Sequence, residues 1–326
     1  MSASATDHKG RSHYAVMIVG LLLALLTLVL LPVAIYSIVR ELVFPPAVER
    51  YVLAGTPPSA TPTGGSGPLD VAYLDIVVAS IDEASGLISL RVSANRACPT
   101  TCAASRLLLF SLGDDLAGQL GLAPVARLEL PADGSDISAT VQLPVSGLPS
   151  RYPWDAYLLT LGAIVETRLA DGSYVNVLPR DRARASFATL QSQLRRLQLA
   201  PPVDVDPTTV RVSADPSALV FVKQLTFFRP IYLMYLTTLL VILSGAAAVY
   251  SVQMQPIQHL FVGSGSLVLG VWGVRSVLVP GSITFTTAVD LLLSMVILIL
   301  LGGITIRATL FVMRSRGREQ SAPGAD

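Results

Sequence analysis

Few residues in this chain have types and spacings that could support chemistry. Cys98 and Cys102 close a short C-P-T-T-C loop and are the only two cysteines. In an oxidising compartment such a pair forms a disulfide, provided the narrow disulfide geometry can be met across so short a loop. Paired thiols beside an imidazole can instead hold copper. The three histidines are His8, His13 and His259, and none lies between residues 40 and 228, where both cysteines sit. A disulfide stapling a strand end is the favoured reading; free thiols and a metal site are the alternatives.

The missing histidine also excludes a Ser-His-Asp arrangement in that region. No glycine-rich phosphate loop follows a strand pattern. Carboxylates are numerous, among them Asp70, Asp75, Glu129, Asp155 and Glu166. Paired carboxylates can hydrolyse glycosides, but no pair stands out, and solvated charges on strand faces and turns explain them. No catalytic residue, cofactor or resident metal is expected, and the chain reads as non-enzymatic. Arg180, Arg182 and Arg184 would share one face of an extended segment. Such a row reads as a charged strand edge, with an anion or lipid-headgroup contact as the alternative.

A further couple is intramembrane in character. Arg275 and Asp290 are the only charges well inside the last two hydrophobic blocks, five residues before Pro280 and ten after it. A charge at membrane depth is costly unless paired, hydrated or snorkelling. A salt bridge between them is expected, either as a structural clamp or as a coupling or ion-pathway element.

Four hydrophobic blocks must position these residues, one at Tyr14 to Val39 and three between Ile231 and Ile306. Each is near or above the ~20 apolar residues that cross a bilayer. The expected organisation is a cytoplasmic tail 1–13, a span 14–39, a linker 40–68, a domain 69–228, a three-span bundle 229–307 and a tail 308–326. The first block is longer than a signal-peptide core and lacks a nearby cleavage site, so it reads as an uncleaved anchor. Lys9 and Arg11 precede it, and Arg307, Arg314, Arg316 and Arg318 follow the last block. Flanking positive charge stays cytoplasmic, which puts both termini inside and the large domain outside a plasma membrane. Gly263, Gly265, Ser266, Gly270 and Gly273 give the third span a small-residue surface of the kind that lets helices approach closely.

The net charge of +1 gives no basic face for nucleic acid. From Arg40 to Phe228 there are 15 Lys/Arg against 18 Asp/Glu, a balance of −3. Only Lys9 and Lys223 among 23 basic residues are lysines, a bias expected of a GC-rich bacterial genome. The expected partners are the lipid bilayer and either further copies of the chain or other membrane proteins; the ligand is not named by the sequence.

Within the outer domain, residues 55–68 are a Pro/Gly/Ser/Thr tether. Beyond them apolar residues alternate with polar ones, as at Leu87 to Ala94 and Ile137 to Leu143, the pattern of half-buried strands. Further strands are expected at Val71–Ile81, Arg106–Ser111, Val125–Leu130, Ala156–Arg168, Tyr174–Leu178, Thr209–Ser213 and Ala218–Phe227. Asp133-Gly134 and Asp171-Gly172 mark hairpin turns. The fold class that follows is an extracytoplasmic all-β sandwich joined to four membrane helices. Leu190, Leu194 and Leu197 suggest a short helix within Ala183 to Leu199.

Three segments carry a resemblance. They are Arg151-Tyr152-Pro153-Trp154-Asp155, Phe228-Arg229-Pro230-Ile231-Tyr232, and the turn from Arg275 to Asp290. Their layout resembles pentameric ligand-gated ion channels, in which a sandwich carries a Pro-aromatic-Asp motif and a strand feeds an Arg into the first span. The resemblance implies that Tyr152, Pro153, Trp154, Asp155 and Arg229 lie at the junction of domain and membrane. Those channels have four spans after the sandwich; here three follow and one precedes. In architecture the chain is more similar to a family of uncharacterised four-span membrane proteins, a domain of unknown function with the same one-plus-three arrangement. The expected function is therefore binding, sensing or assembly outside the membrane, with a ligand-gated-channel-like oligomer and a cell-envelope enzyme acting on lipid or glycan as alternatives.

Overall fold

The structure is a computed structural model that describes residues 25, 28–29, 31–33, 35–36, 39, 50–55, 71–97, 104–111, 125–133, 135–176, 186–194, 196–206, 219–254, 257–279 and 286–320. The chain divides into two compact units. One comprises Pro46–Pro149 and Trp154–Pro230, and the other Met1–Pro45, Ser150–Pro153 and Ile231–Asp326.

The first unit is built from strands. In chain order they are β1 (Arg50–Ala54), β2 (Val71–Asp82), β3 (Leu87–Ala97), β4 (Ser105–Ser111), β5 (Val125–Leu130), β6 (Ile137–Pro144), β7 (Ser146–Gly147), β8 (Ala156–Arg168), β9 (Tyr174–Asn176), β10 (Ser186–Ser192), β11 (Gln198–Leu199), β12 (Val203–Asp204) and β13 (Leu219–Phe228). They form a five-stranded sheet in the order β1-β10-β2-β3-β6 and an eight-stranded sheet along β11-β13-β8-β4-β5. Side chains alternate across a strand, so each sheet turns one apolar row inward. Leu74, Ile76, Val78, Leu90 and Val92 from the first sheet meet Leu107, Leu109, Leu159, Leu161, Leu225 and Phe227 from the second in one buried core. Ring packing is tight at Gly162 of β8, where an added Cβ would stand 2.5 Å from the Phe110 ring.

The alternation read at residues 87–94 and 137–143 corresponds to β3 and β6, which pair antiparallel from Leu87↔Pro144 to Ala94↔Ile137. Two expectations are corrected. The stretch 40–68 is not all linker, because Arg50–Ala54 forms β1 and completes the five-stranded sheet against β10. The stretch 183–199 holds strands rather than a helix, because Ser186–Ser192 slots between β1 and β2, parallel to β2. In that slot Ala188 and Leu190 face the core and Thr189 faces away, so period two prevails over the leucine spacing. Cys98, Cys102, the arginine row 180–184 and the strand expected at 209–213 lie outside the described residues.

The second unit contains α1 (Ile231–Met254), α2 (Ile257–Leu278) and α3 (Ala288–Gln320). Its core gathers Ala248, Val271, Leu278, Val289, Leu293, Val296 and Leu300. Among the described residues two helices, not the four expected, are long and apolar enough to cross a membrane, Ile231–Gln253 and Ala288–Met313. Only nine scattered residues of the block Tyr14–Val39 are described, and the side chains of the first turns of α2 lie outside the described residues. Only 17% and 28% of the two apolar windows are buried, unlike the core helices of a water-soluble protein. Close helix approach occurs at Gly303 of α3, where an added Cβ would meet Val252 of α1 at 2.7 Å. Gly265, Gly270 and Gly273 of α2, expected to make such contacts, have nothing within 4 Å.

Candidate functional site

Among the described residues, the most enclosed cluster of charges lies in the β unit and is assembled from three places in the sequence. Its centre is Arg229, whose side chain is 0% exposed, directly after β13. Asp155, also 0% exposed, directly precedes β8. Because β13 and β8 pair in register from Phe228↔Ala156 onward, the ladder carries these two flanking residues to one place. The guanidinium grips the carboxylate twice: Nε donates to Oδ1 at 3.0 Å and Nη2 to Oδ2 at 2.9 Å. This fork matches carboxylate geometry and suits arginine rather than lysine.

Glu83 completes the cluster, its Oε2 2.5 Å from Arg229 Nη2. It is presented by the turn between β2 and β3. Asp82 Oδ1 accepts the backbone N–H of Ala84 at 3.0 Å and of Ser85 at 3.4 Å, and Gly86 takes the positive φ of 66° that the turn needs. The Ser85 side chain first, with the backbone N–H groups of Ala84 and Ser85, holds the Asp82 carboxyl below its ordinary pKa. Burial works against the charge on Arg229, but Asp155 and then Glu83 more than offset it, and the guanidinium is held above its ordinary value. Tyr157, 1% exposed, stands beside the same carboxylates. Burial first, then the charges of Asp155 and Glu83, push its phenol up, so it stays neutral. Two carboxylates gripping one buried guanidinium make a fixed anchor at the end of β13.

The other residues of the Tyr-Pro-Trp-Asp segment divide. Tyr152 and Pro153 belong to the helical unit and are buried, while Trp154 opens the next stretch of the β unit and is 40% exposed. The Tyr152 hydroxyl donates to the carbonyl of Leu278, the last residue of α2, at 2.6 Å. The Tyr152–Pro153 peptide is cis and follows a short 3-10 turn, Pro149–Arg151, so Pro153 stands in a loop.

In the helical unit Arg275 Nε lies 2.5 Å from Asp290 Oδ1. The pair that sequence reasoning singled out is thus brought together, with a third member it missed. Asp290 Oδ2 also accepts from the backbone N–H of Thr287 at 2.8 Å and from its hydroxyl at 3.0 Å. The Thr287 hydroxyl in turn faces the backbone N–H of Asp290 at 3.3 Å. Thr287-x-x-Asp290 is therefore a reciprocal cap on the start of α3, and the T-x-x-D spacing was its signal.

Sequence reasoning also missed a cleft of about 450 Å³, lined by both polar and apolar side chains, on the outward face of the five-stranded sheet. Its lining comes from β1, β2, β3, β6 and β10 and from Asp136 just before β6. No local motif marks residues that only strand register assembles. No protein-family model matches this chain, and no curated protein matches it.

Proposed function

We propose that this chain is a non-enzymatic integral membrane protein whose β domain lies outside the cytoplasm and works by binding, sensing or assembly, coupled to a four-span set of helices. One observation carries the coupling. Only Arg229 and Pro230 separate β13 from the apolar helix α1, and Arg229 is buried and held by two carboxylates. A displacement of β13 is then passed along the chain rather than absorbed by a slack linker. In this reading the block Tyr14–Val39 and α2 supply the other two spans, and the positive tails keep both termini inside.

The test is extraction and accessibility. Membranes from cells expressing the full chain are washed with alkaline carbonate, and protease is added to the outside of spheroplasts. Retention in the pellet, with cleavage inside the β domain and a protected C-terminal epitope, is expected. Release by carbonate, or a protected β domain, refutes the proposal.

A channel-like oligomer is the second reading. It is favoured by the meeting of Asp155 and Arg229, which come from two of the three segments that carry the channel resemblance. Ring-shaped particles and ligand-evoked currents in planar bilayers would promote it; monomeric or dimeric particles that stay silent would remove it.

A further inference from the structure

We infer that the outward face of the five-stranded sheet is a binding trough for a neutral saccharide, a deepening of the binding role proposed above. Register builds the trough. Across the strands Thr189 faces Asp75, Asp75 faces Ser93, and Ser93 faces Ser138, giving one polar row that crosses β10, β2, β3 and β6. The neighbouring row holds Phe187 opposite Tyr73 and Tyr73 opposite Asn95, so aromatic rings line the trough beside its polar groups. These positions alternate with Leu74, Ala94 and Leu190 of the core and so face away from it. Ser93 and Ser138 are short, so the floor sinks beside the Tyr73 ring and encloses about 450 Å³, within the usual size of a small-ligand site.

The polar groups are held in place. Thr189, 5% exposed although it faces outward, donates its hydroxyl to Asp75 Oδ1 at 2.5 Å. Asn95 donates its amide to Asp136, and Arg50 Nη2 approaches Asp75 Oδ2 at 3.9 Å.

The chemistry selects among ligands. An apolar molecule would strand the carboxylates and hydroxyls of the floor. An anion would meet Asp75 and Asp136, with Arg50 the one cation among the described lining residues. A polypeptide strand needs a free backbone edge, whereas the middle of this floor is side chains over strands paired on both sides. Sugar hydroxyls both donate and accept, which matches carboxylate, amide and serine together. The Tyr73 ring offers an apolar face beside those polar groups, suited to the C–H face of a pyranose.

The test uses the full chain in nanodiscs, titrated calorimetrically with chitohexaose, cellohexaose, maltohexaose and mannohexaose. Saturable binding of at least one is expected, weakened about tenfold or more by Asp75→Asn, where the floor loses an acceptor. Tyr73→Ala should do the same, as should Ser138→Trp, which fills the trough from an exposed edge-strand position. Arg106→Ala, on the other sheet, should bind as the parent does. The inference is overturned if none of the four sugars binds, if a bound sugar keeps its affinity in both Tyr73→Ala and Ser138→Trp, or if heparin or polylysine binds in their place. Carbonate extraction reads membrane anchoring without any sugar, so failure of one reading is distinct from failure of the other.

Discussion

Arg229 and Asp155, 74 residues apart in sequence, meet as a bidentate pair with both side chains fully buried, and Glu83 reaches them from a hairpin turn. Removing one member of a buried pair strands the other charge, at a cost of about 3–5 kcal/mol. Arg229→Ala and Asp155→Ala should each lower the thermal midpoint of the purified protein sharply. Arg229→Lys should also fall short, because a lysine cannot reproduce the fork. An apolar double replacement, Arg229→Met with Asp155→Leu, should retain more stability than Arg229→Ala. Equal melting of wild type and Arg229→Ala would show that the pair contributes little.

The Arg275–Asp290 pair predicts an asymmetry. Both single alanine variants lose the ion pair, but Asp290→Ala also loses both acceptor contacts with Thr287. Loss of a cap costs about 1 kcal/mol, so Asp290→Ala should be the worse of the two. The charge swap Arg275→Asp with Asp290→Arg should recover part of the loss, since the ion pair returns and the cap does not. Melting in detergent, followed by size-exclusion chromatography, reads the order.

Helix packing predicts a contrast between glycines. A Cβ at Gly303 meets the Val252 side chain at 2.7 Å, whereas one at Gly270 meets nothing within 4 Å. Overpacking costs about 1–3 kcal/mol. Gly303→Val should therefore lower the melting midpoint while Gly270→Ala leaves it unchanged or slightly raised. The reverse order, measured by thermal shift in detergent, would mean that the exposed face of α2 is where helices touch.

Tyr157 predicts a pH dependence. Burial, then Asp155 and Glu83, raise its pKa above the ordinary value of 10. The folded state then holds this proton more tightly than the unfolded chain does. The stability it contributes is fully present below pH 10 and falls as pH rises beyond it. Denaturant midpoints measured between about pH 9 and about pH 11 should decline more steeply for the wild type than for Tyr157→Phe. Parallel slopes would remove Tyr157 from the alkaline transition.

How much was legible in the sequence follows the range of the interactions. Leu87 to Ala94 and Ile137 to Leu143 alternate because each strand has one buried face, and that is a local signal; both were read correctly. Strand β1 could not be read, since five residues of RYVLA beside a Pro-rich tract become a strand only against Ser186–Ser192, far along the chain. The leucines at 190, 194 and 197 suggested a helix until the sheet claimed Leu190. In the site, Arg275 and Asp290 announced themselves as charges in apolar blocks. Glu83 did not, because nothing distinguishes a turn glutamate that folds inward onto Arg229 from one that faces water. The saccharide trough was invisible for the same reason: its floor is one residue from each of four strands.

The position of β10 between β1 and β2 constrains how the domain comes into being. Both neighbours are made first, and β10 is then inserted between them, antiparallel to one and parallel to the other. Until Ser186–Ser192 emerges, β2 keeps a bare flank of unpaired amides and carbonyls, the kind of edge that recruits foreign strands. Closing that gap joins contacts distant in sequence, a slow class of step, and in a chain that folds in order of synthesis β10 is the strand that closes it. A peptide copying SFATLQS, supplied while the chain refolds from denaturant, would compete for that gap and trap the domain half-built; added after folding it would find the slot filled.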